Sequence, residues 1–89
     1  MSMMITVQPT PNPNAMKFTL DRKVTDGKSQ TFASTDQASA DPLAARLFQI
    51  HGVRQVFFLN DFISVTKEPF AEWNNMVADL EKAIRAHFA

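Results

Sequence analysis

The fold of this chain depends most on one stretch, TPNPNAMKF at residues 10–18. Its alternating prolines fix φ, remove backbone donors and push each preceding residue toward an extended conformation, so a helix is excluded here. Asn12 and Asn14 favour a turn, because an asparagine side chain can bind nearby backbone amides and tolerates left-handed geometry. We therefore predict a rigid elbow at residues 10–14 that leads into a strand at residues 17–20.

Three strands are predicted around this elbow. Residues 3–7 are rich in Ile, Val and Thr and predict the first strand. Residues 17–23 and 28–33 predict the second and third, and Asp26-Gly27 between them predicts the positive-φ turn of a hairpin. The small and polar residues 34–40 predict a loop.

A first helix is predicted after that loop. Asp41 followed by Pro42 is typical of a helix start, because a carboxylate accepts hydrogen bonds from the free amides and proline has no amide to satisfy. Gly52 is expected to end the helix as a left-handed cap. The apolar side chains of the helix are those of Leu43, Ala44, Leu47, Phe48 and Ile50.

Residues 52–67 predict a second hairpin, since two apolar, β-rich runs flank the polar pair Asn60-Asp61. If that pair is a two-residue turn, Leu59 faces Phe62 and the register of the whole hairpin follows. The core face then consists of Val56, Phe58, Ile63 and Val65. The other face, which stays partly exposed, holds Phe57, Leu59 and Phe62 beside Gln55, Ser64 and Thr66.

The last helix is predicted to begin at Pro69, with apolar side chains at three- and four-residue spacing. Trp73 is interpreted as a core anchor of this helix rather than as a binding residue. The apolar stripe consists of Phe70, Trp73, Met76, Val77, Leu80, Ile84 and Phe88. The predicted order, β-β-β-α-β-β-α, indicates an α+β two-layer sandwich with a mainly antiparallel sheet and two helices on one face.

Three unusual segments occur in a characteristic order: TPNPNAMKF at residues 10–18, FQIHGV at 48–53 and FFLNDFISVTK at 57–67. Together they resemble the N-terminal domain of the Nfu/NifU-like iron-sulfur scaffold proteins. The resemblance runs from about Ile5 to Phe88, and residues 1–89 are interpreted as a single domain of this kind.

The chain departs from that family in one important way, because it contains no cysteine. Full-length members resemble this domain followed by a module whose Cys-x-x-Cys pair binds the cluster. Cysteine thiolates are the usual protein ligands of iron-sulfur clusters, so this chain is expected to bind no cofactor alone. The resemblance implies a protein partner of the iron-sulfur assembly pathway, and a Cys-x-x-Cys-bearing chain is one candidate.

Composition excludes several other classes of protein. Lys plus Arg and Asp plus Glu are nine each and neither sign is clustered, which argues against a nucleic-acid partner. No apolar run is long enough to span a membrane, and the N-terminal residues show no signal-peptide pattern. Absence of cysteine excludes disulfides and thiol catalysis and is compatible with the reducing cytoplasm, where we expect the protein.

Signals for catalysis or metal binding are weak. His51 and His87 are the only histidines, and each has a structural explanation at the end of a predicted helix. Neither has a second ligand at metal-binding spacing, and two separated glycines form no phosphate loop. We predict no catalytic, cofactor-binding or metal-binding residue and no enzymatic activity.

The main hypothesis from the sequence is a non-catalytic adaptor that binds a protein partner. Its candidate residues, from the partly exposed hairpin face and from the elbow with its neighbouring lysine, are Phe57, Leu59, Phe62, Asn12, Pro13, Asn14 and Lys17. The elbow can also be only a structural corner, since turn chemistry explains each of its residues. Two other functions stay open: a domain that binds a small ligand or iron, and a structural domain that self-associates. The chain is expected to be a monomer or a weak homodimer.

Overall fold

The computed structural model of the chain describes residues 3–88. Its elements are β1 (Ile5–Pro9), β2 (Ala15–Leu20), β3 (Gln30–Phe32), α1 (Thr35–Ala38), α2 (Pro42–Phe48), β4 (Val53–Leu59), β5 (Phe62–Lys67) and α3 (Trp73–Phe88). The five strands form one sheet in the order β1-β2-β5-β4-β3. Every neighbouring pair is antiparallel, so the predicted α+β class with an antiparallel sheet is confirmed.

The hydrophobic core lies between one face of this sheet and the helices. The sheet contributes Phe18, Leu20, Phe32, Val56, Phe58, Ile63 and Val65, and the helices contribute Ala38, Leu43, Ala44, Leu47, Met76, Leu80 and Ile84. All of these side chains are buried and belong to one cluster. The helices therefore share one face of the sheet, as the two-layer prediction required.

The predicted pairing of the second and third strands is wrong. β2 already has a partner on each side, β1 and β5, so β3 crosses to the far edge and pairs with β4. The crossing segment is held at the β4–β5 turn, where the backbone N–H groups of Val24 and Thr25 donate to the Asn60 carbonyl at 2.6 and 3.1 Å. Gly27 has the expected positive φ of 88°, but it serves this crossing loop rather than a hairpin.

The β4–β5 hairpin forms with the predicted register. Leu59 pairs with Phe62, Phe58 with Ile63, and the ladder continues regularly to Val56 and Val65. Asn60 has a φ of 54°, which an asparagine in a two-residue turn adopts at low cost. The predicted core face is buried and the other face is half-buried, as expected.

The helix boundaries differ from the prediction in three places. Residues 34–40 are not a simple loop, because the Ser34 side chain accepts a hydrogen bond from the Gln37 amide at 3.2 Å and caps the one-turn helix α1. α2 starts at Pro42, as predicted, and the Asp41 carboxylate accepts bonds from the next amides at 2.9 and 3.1 Å. However, α2 ends at Phe48, so Gly52, with φ 99°, lies in a following turn and is not the helix cap.

The start of the last helix was also predicted too early. Pro69 is the second residue of a turn in which the Ala71 N–H donates to the Glu68 carbonyl at 3.0 Å, and proline is favoured at that position. α3 begins only at Trp73, and Phe70 is 66% exposed rather than part of the buried stripe. The rest of the stripe packs on the core, with Trp73 half-buried.

Candidate functional site

The sheet face opposite the core is half-buried along β4 and β5 and carries the predicted aromatic residues. Phe57 and Phe62 lie on neighbouring strands with ring centroids 6.0 Å apart at an angle of 43°. Leu59 is the direct cross-strand partner of Phe62. These three side chains form a continuous apolar area beside the β4–β5 turn.

Lys17 joins this area from the neighbouring strand. Its ammonium nitrogen lies 4.5 Å from the centroid of the Phe62 ring, a favourable cation–π distance. Within residues 3–88 Lys17 takes part in no ion pair. We call Lys17, Phe57, Leu59 and Phe62 the outer face.

The outer face is almost uncharged apart from Lys17. Because side chains alternate along a strand, the same side of the central strands also carries neutral polar groups. These are Thr19, Gln55, Ser64 and Thr66. A single cation next to an aromatic and aliphatic area is a surface that can receive apolar side chains together with one negative group.

The elbow is a separate structure whose polar groups bind each other. The Asn12 side chain accepts a hydrogen bond from the Asn14 amide at 2.9 Å, and the Asn12 carbonyl accepts one from the Ala15 amide at 3.0 Å. The Thr10 hydroxyl donates to the Asn12 carbonyl at 2.9 Å and accepts from the Asn12 amide at 3.1 Å. These hydrogen bonds hold the elbow in the turn that its asparagines and prolines predict.

Two residues from other elements hold the elbow from outside. The Trp73 indole N–H donates to the Pro13 carbonyl at 3.1 Å. The Lys67 ammonium donates to the Asn14 side-chain oxygen at 3.1 Å, although Lys67 is only 9% exposed. Sequence reasoning missed both contacts, because they join residues 60 and 53 positions apart.

The structure therefore brings together only part of the predicted site. Lys17, Phe57, Leu59 and Phe62 are contiguous, whereas Asn12, Pro13 and Asn14 precede the end of β2 that pairs with Thr66. Phe62 pairs with Thr19, four residues further along the same strand as Ala15, which is about 13 Å at the usual rise of a strand. The elbow is thus separated from the aromatic part of the outer face, and Lys17, three residues after Asn14, lies between them.

Replacing Trp73 by Phe tests the link between α3 and the elbow. An aromatic ring is kept, but the N–H donor to Pro13 and the five-membered ring that carries it are lost, so we expect a loss of at least about 1 kcal/mol and a melting temperature lower by about 4–8 °C or more. Thermal unfolding followed by circular dichroism measures this. The control is Phe70→Leu, because Phe70 is an exposed aromatic residue whose side chain makes no such hydrogen bond. Its melting temperature should equal that of the wild type. An unchanged Trp73→Phe would mean that the bond contributes nothing.

The ionisable side chains outside the outer face are the other candidates for metal binding. In the part of the chain from 3 to 88, no three His, Cys, Asp or Glu side chains come together as a metal site. Hydrogen bonds from the Met4 amide and then from the Arg22 side chain lower the pKa of the exposed Asp21 carboxyl, which anchors the chain before β1.

No helix of the described residues is long and apolar enough to cross a membrane.

Comparison with protein families gives one match that covers nearly the whole chain. Residues 5–89 match the family described as "Scaffold protein Nfu/NifU N terminal". Similar curated proteins include the human "NFU1 iron-sulfur cluster scaffold homolog, mitochondrial", 42% identical over 88 residues, and its Drosophila persimilis counterpart, 42% identical over 89. The alignments cover 98% and 99% of this chain but only 35% and 32% of those proteins, so the chain spans about a third of their length.

Solved structures show the same fold. The crystal structure of a Staphylococcus aureus protein superposes with a TM-score of 0.80 at 31% identity, covering 94% of this chain and 99% of that one. The solution structure of a NifU-like protein from Saccharomyces cerevisiae gives a TM-score of 0.83 at 24% identity, covering 97% and 78%. The resemblance stated from the sequence segments is confirmed by these matches.

Proposed function

This chain belongs to the Nfu/NifU N-terminal family, and we propose that it is a non-catalytic adaptor that binds a protein partner during iron-sulfur cluster assembly or delivery. The observation that carries the proposal is the outer face. It presents two aromatic rings, a leucine and one cation on a face of the sheet that the helices leave open. Aromatic side chains are where interface energy concentrates.

The partner that we propose is a chain carrying the family's Cys-x-x-Cys module. This chain has no thiolate to hold a cluster, so the cluster would be bound by that partner and not by residues 1–89. Lys17 suits such a partner, since a cluster with its thiolates is negatively charged and a nearby lysine would favour its approach. In this role residues 1–89 act as one domain. The location of the protein in the cytoplasm stays a prediction.

Phe62→Ser should weaken this association by at least about tenfold, because it removes the ring that joins Lys17, Phe57 and Leu59. The test titrates the isolated, cluster-loaded Cys-x-x-Cys module of a two-module family member into this protein and measures affinity by calorimetry. Lys17→Gln should lower the affinity modestly and make it less dependent on salt concentration, while leaving the apolar contacts in place.

The matched control is Phe70→Ser, which removes an aromatic side chain that is exposed on another surface. Its affinity for the module should equal that of the wild type. Equal affinities of wild type and Phe62→Ser would refute the outer face as the binding surface. If light scattering instead shows a dimer that Phe62→Ser dissociates, the outer face serves self-association and the adaptor role is wrong.

A further inference from the structure

A cleft of about 450 Å³ lies between the segment after α2 and the start of α3, and none of its lining residues belongs to the outer face. Its floor is apolar, because Met76 is buried and Ile50 and Ala71 are half-buried. Phe70 forms part of its wall, and the His51 ring lies 5.5 Å from the Phe70 ring at an angle of 46°.

Phe70 is exposed although the turn that carries it is firmly held. The Glu68 N–H donates to the Gly52 carbonyl at 2.7 Å, and the Ala71 N–H closes the turn on the Glu68 carbonyl at 3.0 Å. Gly52 also lies so close to Ala71 that a Cβ on Gly52 would come within 2.7 Å of the Ala71 Cβ. The backbone that carries this 66% exposed ring is fixed before any partner binds, which reduces the entropy lost on binding.

The cleft contains two carboxylates that are not paired with a lysine or an arginine of the described residues. Glu72 and Asp79 line it, and no lysine or arginine does. Neither carboxylate forms an ion pair with any residue in the described range 3–88. The other polar lining groups are the amides of Gln49 and Asn75 and the imidazole of His51, which lies against the Phe70 ring.

We propose that this cleft binds an arginine side chain, with a flanking apolar side chain, from an exposed segment of a partner protein. The guanidinium is planar and weakly hydrated, so it can stack on Phe70 while its N–H groups reach Glu72 or Asp79. The flanking apolar group lies over Met76 and Ile50. This site is independent of the outer face and does not require the proposed adaptor role.

The experiment uses a short blocked peptide with one arginine between two leucines, and the same peptide with citrulline, its neutral isostere. Amide shifts of the full ¹⁵N-labelled protein are recorded during titration. The arginine peptide should move the amides of residues 49–52 and 70–79 and bind at least about fivefold more tightly than the citrulline peptide. Phe70→Ser should lower affinity for the arginine peptide about tenfold.

Charge variants separate stacking from ionic attraction. Glu72→Gln combined with Asp79→Asn should bring the arginine peptide close to the affinity of the citrulline peptide, and Phe62→Ser should change neither titration. All these side chains are at least partly exposed, and melting curves verify that each variant is folded. Equal binding of the two peptides, no shifts at millimolar peptide, or shifts confined to the outer face would each overturn the proposal.

Discussion

Phe58→Ser is expected to remove most of the folding stability of this protein, whereas Phe62→Ser is expected to remove little. Phe58 is 1% exposed and its ring lies 5.4 Å from that of Phe32, so its loss leaves a cavity in the centre of the core. Truncation of a buried phenylalanine costs about 3–5 kcal/mol, and a buried serine hydroxyl adds about 1 kcal/mol when it lacks a partner. Small domains have about 5 kcal/mol or slightly more in total.

Phe62 is the matched control because it occupies the same hairpin on the opposite face. It is half-buried and pairs with Leu59, next to Phe58 in β4, so we expect Phe62→Ser to cost about 1 kcal/mol. Urea denaturation of the two variants and the wild type measures the difference. Equal losses would mean that both faces of the sheet are covered, and the outer face could then not be a binding surface.

The success of the sequence prediction at this hairpin has a local cause. Asn60-Asp61 is a two-residue turn, and an alternating apolar pattern flanks it, so the turn and the side-chain period determine the same register. The outer face could be predicted for that reason. Lys17 was placed there only by the pairing of β2 with β5, which the sequence does not encode locally.

The errors arise where distant parts of the chain compete with local signals. Asp26-Gly27 is a good hairpin signal, but both edges of β2 are paired, with β1 and with β5. β3 therefore cannot pair with β2 and pairs with β4 instead. Pro69 is acceptable at a helix start or in a turn, and the bond from Glu68 to Gly52 selects the turn. This misplaced boundary concealed the exposed Phe70 and the cleft beside it. No local feature separated the two possibilities, because a proline disfavours helix at the preceding residue but is favoured at a helix start.

Gly52→Ala is expected to destabilise the protein by about 3 kcal/mol and to lower its melting temperature by roughly 15 °C. Two costs combine at this position. Gly52 has a φ of 99°, a backbone conformation that residues with a side chain rarely adopt. The new methyl group would also lie 2.7 Å from the Ala71 Cβ and 3.3 Å from the Met76 sulfur. The Met76 side chain can adjust, but Ala71 can move only with its backbone turn.

Gly27→Ala is the matched control for the first of these costs. Gly27 has a similar φ of 88°, but a methyl group there would meet nothing within 4 Å, so we expect a loss of only about 1 kcal/mol. The difference between the two melting temperatures then measures the close approach of Gly52 to Ala71. Because the Gly52 carbonyl also accepts the Glu68 N–H that begins the turn bearing Phe70, amide shifts at residues 68–72 should change in Gly52→Ala and not in Gly27→Ala. Equal destabilisation by both substitutions would show that the turn yields easily, and Phe70 would then not be preordered for binding.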